Sequence, residues 1–199
     1  MSEYTIQGKY GYTIEIITDE DAESPRSWDN LGTMACWHRN YNLGDIQPKE
    51  SPIEHMAYLV QNKTIINLDN AKDETIQKLF DRYYISLPLY LFDHSGITMN
   101  TSGFSCPWDS GQVGIIYVDK ARIRKEYGWK RFTITKIKKI HEYLKSEVTV
   151  YDQYLIGDVY GFVVKDKDGK ETDSCWGFFG GDIKTNGMMD HLSEYIEEA

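Results

Sequence analysis

The chain has 199 residues, of which 41% are hydrophobic and 14% aromatic, with 22 Lys and Arg against 31 Asp and Glu for a net charge of −9. This composition excludes an intrinsically disordered chain, and no apolar run approaches the roughly 18 residues of a transmembrane helix. The first residues lack the basic and apolar regions of a signal peptide, so we expect a cytoplasmic protein without a membrane partner. The three cysteines are too widely spaced to predict a disulfide framework.

The first half of the chain predicts one strand and two helices. Apolar alternation predicts a strand over 9–18, and clustered turn residues predict a long loop or short strands over 26–47. Ser51 precedes a proline and has Glu54 three positions later, which is the spacing of a capping box and predicts a helix start. A second helix is predicted over 73–84, because its apolar residues recur at helical spacing.

The second half mixes strands with helices. The predicted elements are strands over 87–92, 97–101 and 112–118, helices over 119–127 and 133–156, a hairpin of 158–164 with 171–179, and a last amphipathic helix. Helices and hairpins without strict alternation favour an α+β fold with a mainly antiparallel sheet and four to five helices. No linker or low-complexity tract interrupts the chain, so we predict a single compact domain over 1–199.

Every cysteine lies within two positions of a tryptophan, in stretches that read as loops or strand ends. These stretches and the nearby polar residues define a candidate pocket consisting of Trp37, His38, His94, Cys106, Trp108, Asp109, Asp173 and Trp176. Aromatic walls with a few acceptors suit a small polar ligand such as a sugar or a nucleobase. A hydrolase with Cys106 as nucleophile is an alternative, but sequence proximity to His94 does not establish a base for the thiol.

Two plainer readings of the same residues stay open. The first concerns zinc. Zinc sites usually use two close pairs of ligands, and the sequence has one such pair, Cys36 with His38. We therefore expect no bound metal and no cofactor. The structural reading is that the tryptophans are mostly packed and that Asp29 and Asp109 fix turns by bonding to nearby backbone.

Residues 120–145 contain ten Lys or Arg against two Glu, a local charge of +8 in an acidic protein. Lysines at the start of the predicted long helix oppose the helix dipole, and aromatic residues lie among the basic ones. The segment therefore predicts a binding surface for nucleic acid or for an acidic protein partner, with Trp129, Lys130, Arg131, Lys136 and Lys139 as its candidate residues. The alternative is an ordinary solvated face.

Four blocks carry a family resemblance: 24–45 with SWDNLGTMACWHRNYNLGD, 93–96 with DHSG, 105–118 with SCPWDSGQVGIIYV, and 150–180 with VYDQYLIGDVYGFVV and DSCWGFFG. They resemble a family of small proteins without an assigned reaction, encoded by phages and other mobile elements of bacteria. The resemblance implies an accessory protein acting in the host bacterial cytoplasm. It implies a non-enzymatic counter-defence inhibitor, of anti-CRISPR or anti-restriction type, whose partner is a host defence nuclease or its nucleic acid.

Overall fold

The computed structural model describes residues 2–68 and 70–196. The elements in this part of the chain are β1 (Ser2–Gln7), β2 (Thr13–Thr18), β3 (Thr33–Cys36), α1 (Pro52–Gln61), α2 (Asp73–Tyr83), β4 (Tyr84–Asp93), β5 (Ile97–Asn100), β6 (Ser110–Asp119), α3 (Lys120–Tyr127), α4 (Ile134–Ile156), β7 (Val159–Lys165), β8 (Glu171–Phe179) and α5 (Met188–Leu192). The strands form two antiparallel four-stranded sheets. The α+β class with antiparallel sheets and five helices is therefore confirmed. Within the described residues, no helix has the length and apolar character needed to cross a membrane.

The chain divides into two compact units, with one boundary after Ser27 and the other inside α4, after Thr149. The central unit covers residues 28–149 and contains the sheet β3-β6-β4-β5. The terminal unit covers residues 1–27 and 150–199 and contains the sheet β1-β2-β7-β8. The single domain expected over 1–199 stays a prediction.

Strand β6 forms the centre of the central unit and is covered on both faces. Its Ile115 and Tyr117 belong to a buried cluster with α1 and α2, whereas Ile116 lies on the side of Leu144 of α4, since both side chains adjoin Gly32. A strand covered on both sides needs apolar residues at successive positions instead of strict alternation. This explains the continuous apolar run at the end of β6, and it places α4 on the opposite face of the sheet from α1 and α2.

The predicted start of α1 is confirmed in detail. The Ser51 hydroxyl accepts a hydrogen bond from the Glu54 backbone N–H, and the Ser51 N–H donates to the Glu54 carboxylate at 2.8 Å. The Ser51 hydroxyl also donates to the Glu54 carboxylate at 2.7 Å, and this bond together with that from the Ser51 N–H holds the pKa of Glu54 below its usual range. Two backbone N–H groups at the helix end are thus satisfied by local chemistry that the sequence spacing specifies.

In the terminal unit, the first predicted strand was placed too early. Residues Lys9–Gly11 form a 3-10 turn in which Tyr10 has φ 55°, so β2 begins only at Thr13. The left-handed backbone at Tyr10 interrupts any strand. Before this turn lies β1, a strand that the sequence pattern missed, and it pairs with β2 at the edge of the sheet.

One face of the terminal sheet packs against α5. The residues that this core buries are Ile14, Ile16, Phe162, Val164, Phe178, Met188 and Leu192. Met188 and Leu192 come from α5, and the other residues come from β2, β7 and β8. The predicted hairpin of β7 with β8 and the predicted last amphipathic helix are both present.

Candidate functional site

Five of the eight residues of the candidate pocket come together in the central unit. A cleft of about 300 Å³ is lined by His38, Asp93, Trp108 and Asp109, together with backbone and side chains of β4 and β6. His94 and Cys106 both contact the side chain of Asp109. The polar groups of this cleft come from three separate segments of the chain: the loop after β3, the end of β4, and the start of β6.

Short-range backbone bonds fix the positions of these segments. The Asp93 N–H donates to the Asp109 carbonyl at 2.8 Å, which closes the end of the β4–β6 pairing. The turn after Asp93 is tight, because the His94 N–H donates to the Gly96 carbonyl at 3.0 Å and Ser95 has φ 58°. The β4–β5 turn therefore holds His94 beside Asp109, the residue that immediately precedes β6.

The side chain of Asp109 forms the centre of the polar contacts. Its Oδ2 lies 3.5 Å from the Cys106 Sγ and 3.5 Å from the His94 Nδ1. A thiol nucleophile needs a base or cation that favours the ionised sulfur, and here the closest partner of the sulfur is a carboxylate. The geometry thus gives no support to Cys106 as a nucleophile. Among residues 2–68 and 70–196, no group of three or more His, Cys, Asp or Glu is placed to hold a metal ion.

His38 and Tyr41 cover the other side of the cleft. Their rings stack with centroids 5.0 Å apart, and the Tyr41 hydroxyl donates to the Asp93 carboxylate at 3.3 Å. The negative charge of Asp93 raises the pKa of Tyr41. The His38 Nδ1 accepts from the N–H groups of Asn40 and Tyr41, so the neutral ring is assigned its proton on Nε2. The cleft therefore has a donor on His38 and acceptors on both aspartates.

The expected packing of the tryptophans is wrong for most of them. Trp108 is 92% exposed, and Trp28 and Trp176 are about half exposed at 52% and 47%. The exposure of Trp108 has a local reason. Phe104 packs over the end of the sheet instead, with its ring centroid 5.7 Å from that of Phe92. The indole of Trp108 is left at the rim of the cleft. The expected turn at Asp29 is also wrong, since that carboxylate pairs with Arg122 at 3.2 Å.

The remaining pocket residues lie elsewhere. Trp37 is packed as expected: its indole N–H donates to the Glu50 carbonyl at 2.7 Å, and it lines a separate apolar cavity of about 330 Å³ with Met56. Asp173 and Trp176 lie on β8 of the terminal unit. There the Asp173 carboxylate accepts from the Tyr195 hydroxyl at 3.2 Å, and the Trp176 ring covers Gly161. Their participation in a common pocket stays a prediction.

The second candidate site is the corner between α3 and α4 in the central unit. Gly128 ends α3 in the left-handed region with φ 66°, and the chain turns through 129–133 into α4. Four aromatic side chains meet at this turn, from Tyr127, Trp129, Phe132 and Tyr143. The ring centroids lie 5.1 Å apart for Tyr127 with Trp129, 6.2 Å for Trp129 with Phe132, and 6.3 Å for Tyr127 with Tyr143.

Basic side chains lie over three of these rings. The Lys136 ammonium is 4.8 Å from the Trp129 ring centroid, the Arg124 guanidinium is 4.9 Å from that of Phe132, and the Lys139 ammonium is 5.6 Å from that of Tyr143. Cation–π attraction of this kind holds long basic side chains beside aromatic rings. We define these seven residues, together with Lys130 and Arg131, as the basic aromatic surface.

Among the residues that the structure describes, most of the positive charge on this surface has no acidic partner. Within 120–145, the ion pairs to carboxylates in the described part of the chain involve Arg122 and Lys145. The ammonium of Lys120 donates to the carbonyls of Asp81 and Arg82 at 2.5 and 3.3 Å, so it stabilises the fold locally. Lys130, Arg131, Lys136 and Lys139 are joined to no carboxylate among the described residues.

Sequence reasoning identified the basic residues and Trp129 but missed Tyr127 and Tyr143. These tyrosines are sixteen positions apart, and their stacking depends on how α4 returns past the end of α3. One signal was available, because Lys139 and Tyr143 are four residues apart on a helix and such pairs face each other.

Comparison of the chain with protein-family models, curated proteins and solved structures gives no match.

Proposed function

We propose that this protein binds nucleic acid through the basic aromatic surface. The observation that carries the proposal is a set of lysines and arginines that pair with no carboxylate in the described part of the chain and that lie beside partly exposed aromatic rings. Lys136 and Lys139 lie in the first two turns of α4, where the helix dipole disfavours positive charge by a few tenths of a kcal/mol each, roughly. Phosphates brought to the same helix end would reverse this small penalty, because backbone N–H groups and lysines then act together.

The charge distribution favours a specific site over general attraction. A net charge of −9 repels polyanions at long range, so binding requires a local surface with the opposite sign. Residues 120–145 supply that surface with a local charge of +8. Neutralised phosphates release counterions, so affinity for nucleic acid must then fall steeply with added salt.

The test is a salt titration of binding to a labelled 24-nucleotide oligonucleotide, as single strand and as duplex. The variant is Lys136→Glu with Lys139→Glu. The matched control is Lys72→Glu, just before α2, with Lys78→Glu on α2, which makes the same change of charge at two exposed lysines of the central unit. We expect the first variant to lose affinity and to lower the slope of log K against log salt by about 1.4, since each phosphate contributes about 0.7 for single strands. If both double variants bind like the parent, the surface is a solvated face.

The wider role that we propose is counter-defence. The support is the family resemblance, which suggests an accessory protein of a phage or mobile element that acts in the host bacterial cytoplasm. Such a protein would inhibit a host nuclease by binding the nuclease itself or its nucleic acid. We expect expression of the chain to raise the efficiency of phage plaquing or of plasmid transformation in a host with an active restriction or CRISPR system. Expression of the Lys136→Glu, Lys139→Glu variant is expected to leave this efficiency unchanged. Equal efficiency with and without the chain would contradict this role.

A second candidate function, binding of a small polar ligand, is favoured by the cleft at Trp108. The observation is that carboxylate acceptors, a histidine donor and a 92% exposed indole line one concave site. Indole rims with convergent acceptors suit sugars and nucleobases. A thermal-shift screen with such compounds would identify a ligand whose stabilisation disappears in Trp108→Ala and in Asp93→Asn. Stabilisation that persists in both variants would place the ligand elsewhere.

A further inference from the structure

We infer that the basic aromatic surface takes single-stranded nucleic acid, with bases stacked on its rings and phosphates on the adjacent cations. This inference rests on the proposed function and names its substrate class. The starting observation is the exposure of the rings: Tyr127 and Tyr143 are each 38% exposed, and Trp129 is partly exposed. Their contacts with one another hold them in place without covering them.

The exposed rings separate single strands from duplexes. In a duplex each base is stacked between its neighbours, so a protein ring gains nothing from it beyond contact with the backbone. Bases of a single strand have free faces, and stacking on an aromatic side chain is tolerant of sequence because every base has a π face. Lysines alone would explain phosphate binding, so the rings are the feature that points to single strands.

The cations are placed where a stacked nucleotide needs them. The Lys136 ammonium lies 4.8 Å from the Trp129 centroid, and the Lys139 ammonium lies 5.6 Å from the Tyr143 centroid. A base on the open part of either ring therefore leaves its own phosphate within reach of the neighbouring ammonium. Tyr127 lies between Trp129 and Tyr143, at 5.1 and 6.3 Å, so the two ring and cation pairs are linked. An acidic protein surface would match the lysines and leave the rings unused.

The experiment separates bases from phosphates. Fluorescence anisotropy would compare dT12, rU12, an abasic 12-mer with the same backbone, and a 12-base-pair duplex at one salt concentration. We expect dT12 or rU12 to bind roughly 5- to 150-fold more tightly than the abasic strand, the range for one stacked base. The ratio of dT12 to rU12 affinity would distinguish DNA from RNA as the natural source.

Variants assign the effect to the rings. Trp129→Ala is expected to reduce dT12 affinity to near that of the abasic strand while leaving abasic binding within twofold, and Trp129→Phe is expected to retain part of the preference. Tyr127→Ala is a second variant in case Trp129→Ala disturbs folding, and Tyr58→Ala is the control, since this ring on α1 is 68% exposed and belongs to neither candidate site. Equal binding of dT12 and the abasic strand, or tighter binding of the duplex, would overturn the inference and leave the proposed function standing. Failure of every oligonucleotide to bind would refute both.

Discussion

Tyr117 is expected to make the protein sensitive to alkaline pH, and Tyr117→Phe is expected to remove that sensitivity. The side chain is 7% exposed in the core under α1 and α2. Burial raises its pKa to about 12, and the nearby Tyr84 and Asp45 add to this effect. An unfolded chain loses the Tyr117 proton near the ordinary pKa of about 10, whereas the folded chain keeps it for about two more pH units.

The magnitude follows from the two pKa values. Stability from Tyr117 is fully present below pH 10 and is lost as the pH rises towards 12, because the unfolded state alone releases the proton. A difference of one pKa unit corresponds to about 1.4 kcal/mol, so the loss approaches ~2 kcal/mol after some solvent screening. Below pH 9 the variant is expected to be less stable by about 0.5–1 kcal/mol, since it loses the contact of the hydroxyl with His55 Nε2 at 3.4 Å.

Urea unfolding of the parent and of Tyr117→Phe at half-unit steps from pH 8 to 12 measures this directly. Subtracting the two free energies of unfolding cancels the titration of the groups that do not interact with Tyr117. The expected curve is flat up to about pH 9.5 and then moves by ~2 kcal/mol in favour of the variant. A difference that stays constant across the whole range would refute the reasoning.

Two substitutions test the packing and the helix cap, and one analysis tests the expected absence of bound zinc. Gly32→Ala places a Cβ 2.6 Å from a Leu144 methyl, so thermal unfolding should report a loss of about 1–3 kcal/mol; an unchanged melting temperature would mean that α4 does not pack closely on β6. Ser51→Ala removes the cap of α1 and is expected to cost about 0.5–2 kcal/mol, whereas Ser51→Asp should restore most of it. Elemental analysis is expected to find no stoichiometric zinc, and about one zinc per chain that disappears on mutation of Cys36 and Cys106 would contradict this.

The helices were the most predictable part of the fold because their signals are local. The capping box at Ser51 and the apolar spacing of α4 each depend on residues within a few turns of one another. Strand β1 was missed for the opposite reason: it is a short edge strand whose pairing with β2 is specified by a partner beyond a turn. The turn itself contains Tyr10 with φ 55°, a backbone conformation that is uncommon for tyrosine and is therefore not predicted from the sequence.

The candidate sites were predictable in composition but less so in geometry. The sequence identified the charge of 120–145 and five residues at the cleft, but it grouped with them Trp37, Asp173 and Trp176, which lie elsewhere. It did not predict that Phe104 would pack on Phe92 and leave Trp108 in solvent, because both aromatic residues fit the same place over the sheet end. Nor did it predict the stacking of Tyr127 with Tyr143, which depends on the path of the chain between two helices.

The central claim is that nucleic acid lies on the basic aromatic surface, and photo-crosslinking tests it most directly. A 12-mer carrying 5-iodouracil, irradiated with the parent protein and digested for mass spectrometry, reports which aromatic side chains touch the bases. The account predicts crosslinks within 120–145, at Trp129, Tyr127 or Tyr143, and their loss in the Lys136→Glu, Lys139→Glu variant. Crosslinks at Trp108 or in the terminal unit, with none in 120–145, would contradict it.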